Sequence, residues 1–125
     1  MNPKANGSLF FIGKCYQALG NHRMALRYFK NAWDTDSYNA ILFKEIGTEC
    51  MASGQYEEGL RYALKEVSEY SNNGESVAQL AQLLLLNNKT EEARATILRA
   101  KALDDKNEFI DYVYKKILAA NMQKR

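Results

Sequence analysis

Two cysteines, one histidine and a few paired acids are the side chains of this sequence that could do chemistry. Cys15 and Cys50 stand far apart and form no CxxC, and His22 is the only histidine. Zinc needs four ligands at short, regular spacings, so a metal site is not expected. The two thiols read as reduced, mostly buried small hydrophobes, which favours a reducing compartment such as the cytoplasm. His22 has no motif partner and is expected at the surface, at the start of a helix. The acid pairs Glu57-Glu58, Glu91-Glu92 and Asp104-Asp105 are sequence neighbours. Neighbours on a helix do not face each other, so none makes a general acid and base pair. The glycines occur singly, with no Gly-Lys-Ser/Thr cluster to cradle phosphates and no GxSxG elbow. The expectation is a chain that is not an enzyme and carries no cofactor.

The elements that would position any site must come from a helical chain. The sequence has 125 residues, 46% hydrophobic and 26% charged, with one proline and seven glycines. That composition permits a buried core and long uninterrupted helices. A formal net charge of +2 argues against a nucleic-acid binder, which needs a concentrated basic face. The longest mostly apolar run, Val77–Leu86, is broken by Gln79 and Gln82 and is too short for a membrane span. Residues Met1–Phe11 lack the basic start and long apolar run of a signal peptide.

Shifting the sequence by 34 residues lays like on like. Gly20, Gly54 and Asn88 align, as do Asn39, Asn73 and Asn107, then Gly13, Gly47 and Ala81, then Ala25, Gly59 and Ala93. Ala32 and Ala100 align across two steps. Small residues let helices approach closely, and Gly or Asn adopts the left-handed conformation that ends a helix.

This step and pattern resemble the tetratricopeptide repeat family. The first repeat reads Leu9, Ile12, Gly13, Tyr16, Ala25, Phe29, Ala32, and the third Val77, Leu80, Ala81, Leu84, Ala93, Ile97, Ala100. The second reads Phe43, Ile46, Gly47, Cys50, Gly59, Ala63, then departs with Glu66 where a small residue is usual. The resemblance implies an all-α fold: a right-handed superhelix, or solenoid, of antiparallel helix hairpins. It implies a single domain over 1–125, with repeats at about 6–39, 40–73 and 74–107 and a capping helix at 108–122. Pro3 falls where the family closes a repeat, which suggests a fragment of a longer array.

Periodicity supports the helices independently. Apolar residues recur at i, i+3, i+4 and i+7 in Leu9-Phe10-Ile12-Gly13-Tyr16-Leu19 and again in Met24-Ala25-Tyr28-Phe29-Ala32-Trp33. Helices are expected near 6–19, 22–34, 39–53, 56–70, 75–87, 90–103 and 108–122. Thr90 is expected to cap the helix that Glu91 and Glu92 begin. Phe109, Tyr112, Val113, Ile117 and Ala120 should make the apolar face of the last helix, with Lys115 where a small residue would stand in a further repeat.

In the tetratricopeptide family the first helix of each repeat lines a concave groove that holds a partner. On that resemblance the partner-binding groove is Phe10, Phe11, Lys14 and Gln17, then Lys44, Glu45, Thr48 and Met51, then Gln79 and Gln82 with Leu85 and Leu86. Arg23, Arg27 and Lys30 fall on the convex side and read as a solvated face. The subfamily that clamps acidic chaperone tails needs Lys, Asn, Asn, Lys and Arg, where this chain has Phe10, Lys14, Glu45, Glu75 and Gln79. That specificity is not expected. Nor is RNA reading of the pentatricopeptide kind, whose base-reading place carries small polar residues and here carries Phe10, Lys44 and Ala78. The expected function is a protein-interaction scaffold binding a peptide or protein segment. The alternative is the sensing or regulatory portion of a larger signalling or transcription-regulating protein, a bacterial one included. Self-association through the ends of the array is the competing mode of contact.

Overall fold

The structure, a computed structural model, describes residues 5–35, 40–70 and 73–123. Among these residues there are seven α-helices and no strand: α1 (Ala5–Ala18), α2 (His22–Thr35), α3 (Ala40–Ala52), α4 (Tyr56–Lys65), α5 (Gly74–Leu86), α6 (Thr90–Leu103) and α7 (Glu108–Gln123). Pro3 and Asn39, on which sequence expectations rested, lie outside the described residues. The chain forms two compact units, Met1–Gly59 and Leu60–Arg125, the division falling inside α4.

In the first unit α1 and α2 form a hairpin, and α2 packs on α3. The hairpin turn follows from backbone geometry. Gly20 sits at φ +79°, where a Cβ would be strained. The N–H of Asn21 reaches back to the Tyr16 carbonyl at 2.9 Å and that of Gly20 to Gln17 at 3.0 Å, which satisfies carbonyls the helix end leaves open. Asn21 then caps α2, its Oδ1 accepting from the Met24 N–H at 3.2 Å. Ala25, Leu26, Phe29 and Ala32 of α2 are buried with Leu42, Phe43, Ile46 and Cys50 of α3. Gly13 is required by close approach: a Cβ there would stand 2.6 Å from the Phe29 ring. Phe10 also packs on Phe29, ring centroids 5.6 Å apart, and Trp33 lies 4.3 Å from Phe43.

The turn between α3 and α4 repeats the device, with Gly54 at φ +78° and the Gln55 N–H on the Cys50 carbonyl at 2.8 Å. In the second unit the α5–α6 turn does so once more, with Asn88 at φ 64° and the Lys89 N–H on Leu84 at 2.9 Å. There α5 packs on α6 and α7, and α6 on α7. The core is Val77, Ala78, Leu80, Ala81, Leu83 and Leu84 of α5, with Ala93, Ile97 and Ala100 of α6. Asn73 caps α5 through the Ser76 N–H at 2.8 Å, and Asn107 caps α7 through the Ile110 N–H at 3.0 Å.

Four expectations need correction. The helix expected over 56–70 ends as an α-helix at Lys65 and continues as a π-helical turn, Glu66–Tyr70. This begins at the residue that departs from the small-residue column. Thr90 does not cap α6: it is the first helical residue, buried, and the cap position is Lys89, with no side-chain bond to the helix. On α7 the buried stripe is Ile110, Val113 and Ile117. Tyr112 is 52% exposed, with Lys116 Nζ over its ring at 5.2 Å. Finally, Cys15 is exposed, so only Cys50 behaves as the buried thiol expected of both.

Candidate partner-binding site

The groove residues of the first unit come from α1 and α3, and the structure ties these two helices together through charge. Lys14 Nζ of α1 meets Glu45 Oε2 of α3 at 3.1 Å. The Gln17 amide donates to Glu45 Oε1 at 2.7 Å and to Glu49 Oε2 at 2.8 Å. The remaining Glu49 oxygen, Oε1, lies 2.7 Å from His22 Nδ1 at the start of α2. A carboxylate only accepts, so the proton of this contact sits on Nδ1. Glu49 is 1% exposed. Burial of a carboxylate is tolerated here because both oxygens are bonded and one partner is half-exposed His22.

His22 therefore starts α2, as the sequence indicates, but it is not unpartnered. Glu49 and His22 are the residues sequence reasoning missed. The signal was a charge in an apolar slot: Leu42, Ile46 and Glu49 follow i, i+4, i+7, the spacing of one helix face.

The other expected groove residues are distributed as follows. Phe11 is 68% exposed, while Phe10 is half-buried against Phe29. Lys44 and Thr48 are exposed, and the Thr48 hydroxyl donates to the Lys44 carbonyl at 2.9 Å. Met51 is half-buried. Lys14 and Glu45 offset each other, so the cation that sequence reading placed at Lys14 is already answered within the chain.

In the second unit Gln79 is buried, whereas Gln82 is half-buried with its Oε1 atom sealed from solvent and bonded to no other group. Leu85 is half-buried and Leu86 is 37% exposed. Glu75 accepts from the Asn107 amide at 2.9 Å. Among the described residues no group of three or more His, Cys, Asp or Glu is placed to hold a metal ion, and no helix is long and apolar enough to cross a membrane.

Comparison with known proteins agrees with the repeat pattern. Residues 7–38 match the model of the tetratricopeptide repeat. The first tetratricopeptide repeat domain of human RPAP3 superposes with a TM-score of 0.84 at 19% identity, over 98% of this chain and 97% of that one. The corresponding domain of Spaghetti (RPAP3), bound to the HSP90 peptide SRMEEVD, gives 0.82 at 17% identity, over 98% and 97%. PcrH, a protein of Pseudomonas aeruginosa, in complex with the chaperone binding region of PopB gives 0.77 at 18% identity, over 95% and 96%. No curated protein sequence matches the chain.

Proposed function

We propose that the chain is an array of tetratricopeptide repeats, one of which residues 7–38 match, and that it serves as a protein-interaction scaffold whose partner segment lies across α1 and α3. The observation that carries this reading is the bonding of Lys14 and Gln17 to Glu45 and Glu49, which makes one surface of two helices. Such a surface is fixed before binding, so less ordering is required when a partner arrives.

The chemistry of the surface selects the partner. Lys44 and Thr48 are exposed beside the thioether of Met51, and the Lys14–Glu45 pair contributes no net charge. An extended or helical segment with apolar anchors and a single acid suits it. A wholly acidic tail does not, because Glu45 would oppose it and Lys14 is already paired. Structural neighbours holding peptide segments, such as the PcrH complex, support the general mode of binding.

Selection of displayed random peptides on the immobilised chain tests this. Enriched sequences are expected to combine apolar anchors with a single acid. They should lose binding to Lys44→Glu combined with Met51→Ala and keep it with Tyr112→Ala. SRMEEVD itself should show no saturable titration at micromolar concentrations. Loss with Tyr112→Ala and retention in the α1/α3 variant would reject the reading.

A further inference from the structure

The first unit carries a concave feature that shares no residue with the α1/α3 face. Arg23, Leu26, Arg27, Lys30 and Asn31 of α2, with Gln55 from the turn before α4, line a depression of about 310 Å³. The sequence placed Arg23, Arg27 and Lys30 on an ordinary solvated face. Their spacing, i, i+4 and i+7, aligns them along one side of the helix. The structure adds that they border a single cavity with a buried leucine in its wall.

The three cations are not equivalent. Lys30 Nζ is held by Glu58 Oε2. Among the described residues, Arg23 and Arg27 make no ion pair and no hydrogen bond through their side chains. Two guanidinium groups one helical turn apart thus face the same space with no counter-ion. Gln55 brings an amide whose Nε2 makes only a long contact, 3.5 Å, to Ser53 Oγ.

We propose that this depression is a binding site for a phosphoryl group, carried by a phosphorylated side chain of a partner protein or by free phosphate. The argument is one of charge and acceptor number. A phosphate monoester near neutral pH bears between one and two negative charges and three acceptor oxygens. Two guanidinium forks match that charge, and Gln55 supplies a donor for a remaining oxygen. A single carboxylate bears one charge and two oxygens and would leave one arginine unanswered. A volume of about 310 Å³ accommodates the phosphoryl group together with the residue that bears it. Glu58 stays on Lys30, where it limits the cavity to the two free arginine charges rather than three.

The site is tested on the whole chain by following the arginine Nε–Hε signals by NMR while titrating inorganic phosphate, then a phosphoserine peptide and its unphosphorylated form. Saturable shifts confined to Arg23 and Arg27 are expected with phosphate. Arg23→Gln combined with Arg27→Gln should weaken binding by about tenfold or more, the scale of one lost charge-assisted contact. Both positions are exposed, so the variant should keep its circular dichroism and unfolding midpoint. Lys44→Glu, which tests the α1/α3 face, should leave phosphate binding unchanged, so failure of either reading is visible separately. Tighter binding of the phosphoserine peptide than of inorganic phosphate identifies the source as a modified side chain, and equal binding identifies free phosphate. Absence of saturable shifts, binding retained by the double variant, or equal binding of the unphosphorylated peptide would each overturn the proposal.

Discussion

Each unit buries one glutamate, and the two are treated differently. Glu49 in the first unit is 1% exposed, and Gln17 and His22 bond its two oxygens. Glu66 in the second is 2% exposed, with Ser76 Oγ donating to Oε2 at 2.9 Å and nothing bonded to Oε1. Burial pushes the Glu66 carboxyl above its usual range, and the Ser76 hydrogen bond partly opposes that. The first carboxylate joins three helices. The second occupies the place of a small residue, at the point where α4 becomes π-helical. A π-helical turn widens the ladder to i→i+5 bonding and so accommodates an extra residue within a helix. The contrast is between a buried carboxylate with both oxygens bonded and one that leaves an oxygen without a donor, and only the second carries an uncompensated desolvation cost.

The strongest test removes the joined carboxylate. Glu49→Ala should lower stability by about 2–3 kcal/mol, since it leaves a cavity and strips Gln17 and His22 of their shared acceptor. Their partial exposure keeps the loss below that of a fully buried pair. Urea unfolding with an unchanged slope would read it as a fall in midpoint. A loss of under about 0.5 kcal/mol would mean that the network follows the packing rather than holding it.

Packing itself should not distinguish the units. Ala25 in the first and Ala93 in the second are both wholly buried in equivalent positions. Ala25→Leu and Ala93→Leu should each cost about 1–3 kcal/mol by forcing two helices apart. Lys89→Leu, at an exposed site, should change stability by less than about 0.5 kcal/mol. If only one of the two alanines resists enlargement, the small-residue columns are not equivalent and the repeat register fails in that unit.

These columns were legible in the sequence because they rest on requirements few residues meet. A Cβ at position 13 would strike Phe29, and a helix end at positive φ accepts Gly or Asn. The hairpin joints and the apolar faces of α2 and α5 follow from the same constraints. The polar network was not legible. Its members are separated by 27 to 32 residues and belong to no motif, so only the packing of α2 against both α1 and α3 brings them together. The π-helical turn announced itself solely as an acid in a small column. Thr90 misled because Ser and Thr favour caps in general, whereas this one is placed a residue inside the helix. The basic depression was hidden because one helical stripe of cations looks the same whether or not a cavity lies beside it.

Glu66 provides a smaller effect with a definite pH sign. Its folded-state pKa is raised, so the folded chain holds the proton more tightly than the unfolded one. The group therefore costs stability at neutral pH, and the cost fades as pH falls towards the ordinary carboxylate range. Glu66→Gln removes the charge and keeps an acceptor for Ser76. It should raise stability by about 1 kcal/mol at neutral pH and flatten the pH dependence below it. Thermal or urea midpoints measured from pH 7 down to about 4.5 suffice, the lower limit being near the ordinary carboxylate pKa. If the variant is less stable than the parent at neutral pH, Glu66 has a partner that holds it charged, and the contrast with Glu49 disappears.

The smallest effect concerns the turns, where the two units use different residues for one conformation. Gly54 at φ +78° and Asn88 at φ 64° end α3 and α5 with matching hydrogen bonds. Asparagine is tolerated in the left-handed region at a modest cost, and glycine enters it freely but loses more entropy on folding. These two terms oppose each other. Asn88→Gly and Gly54→Asn should accordingly move stability by no more than about 0.5 kcal/mol each, and in opposite directions. Gly54→Ala gives the scale, since alanine meets the full steric penalty of the left-handed region and should cost about 1 kcal/mol. The exchange is open to clean measurement because no atom lies within 4 Å of a Cβ built at Gly54. A loss above about 1 kcal/mol in Asn88→Gly would show that the Asn88 side chain does more than adopt a dihedral angle, and that the α5–α6 joint of the second unit is built differently from the α3–α4 joint.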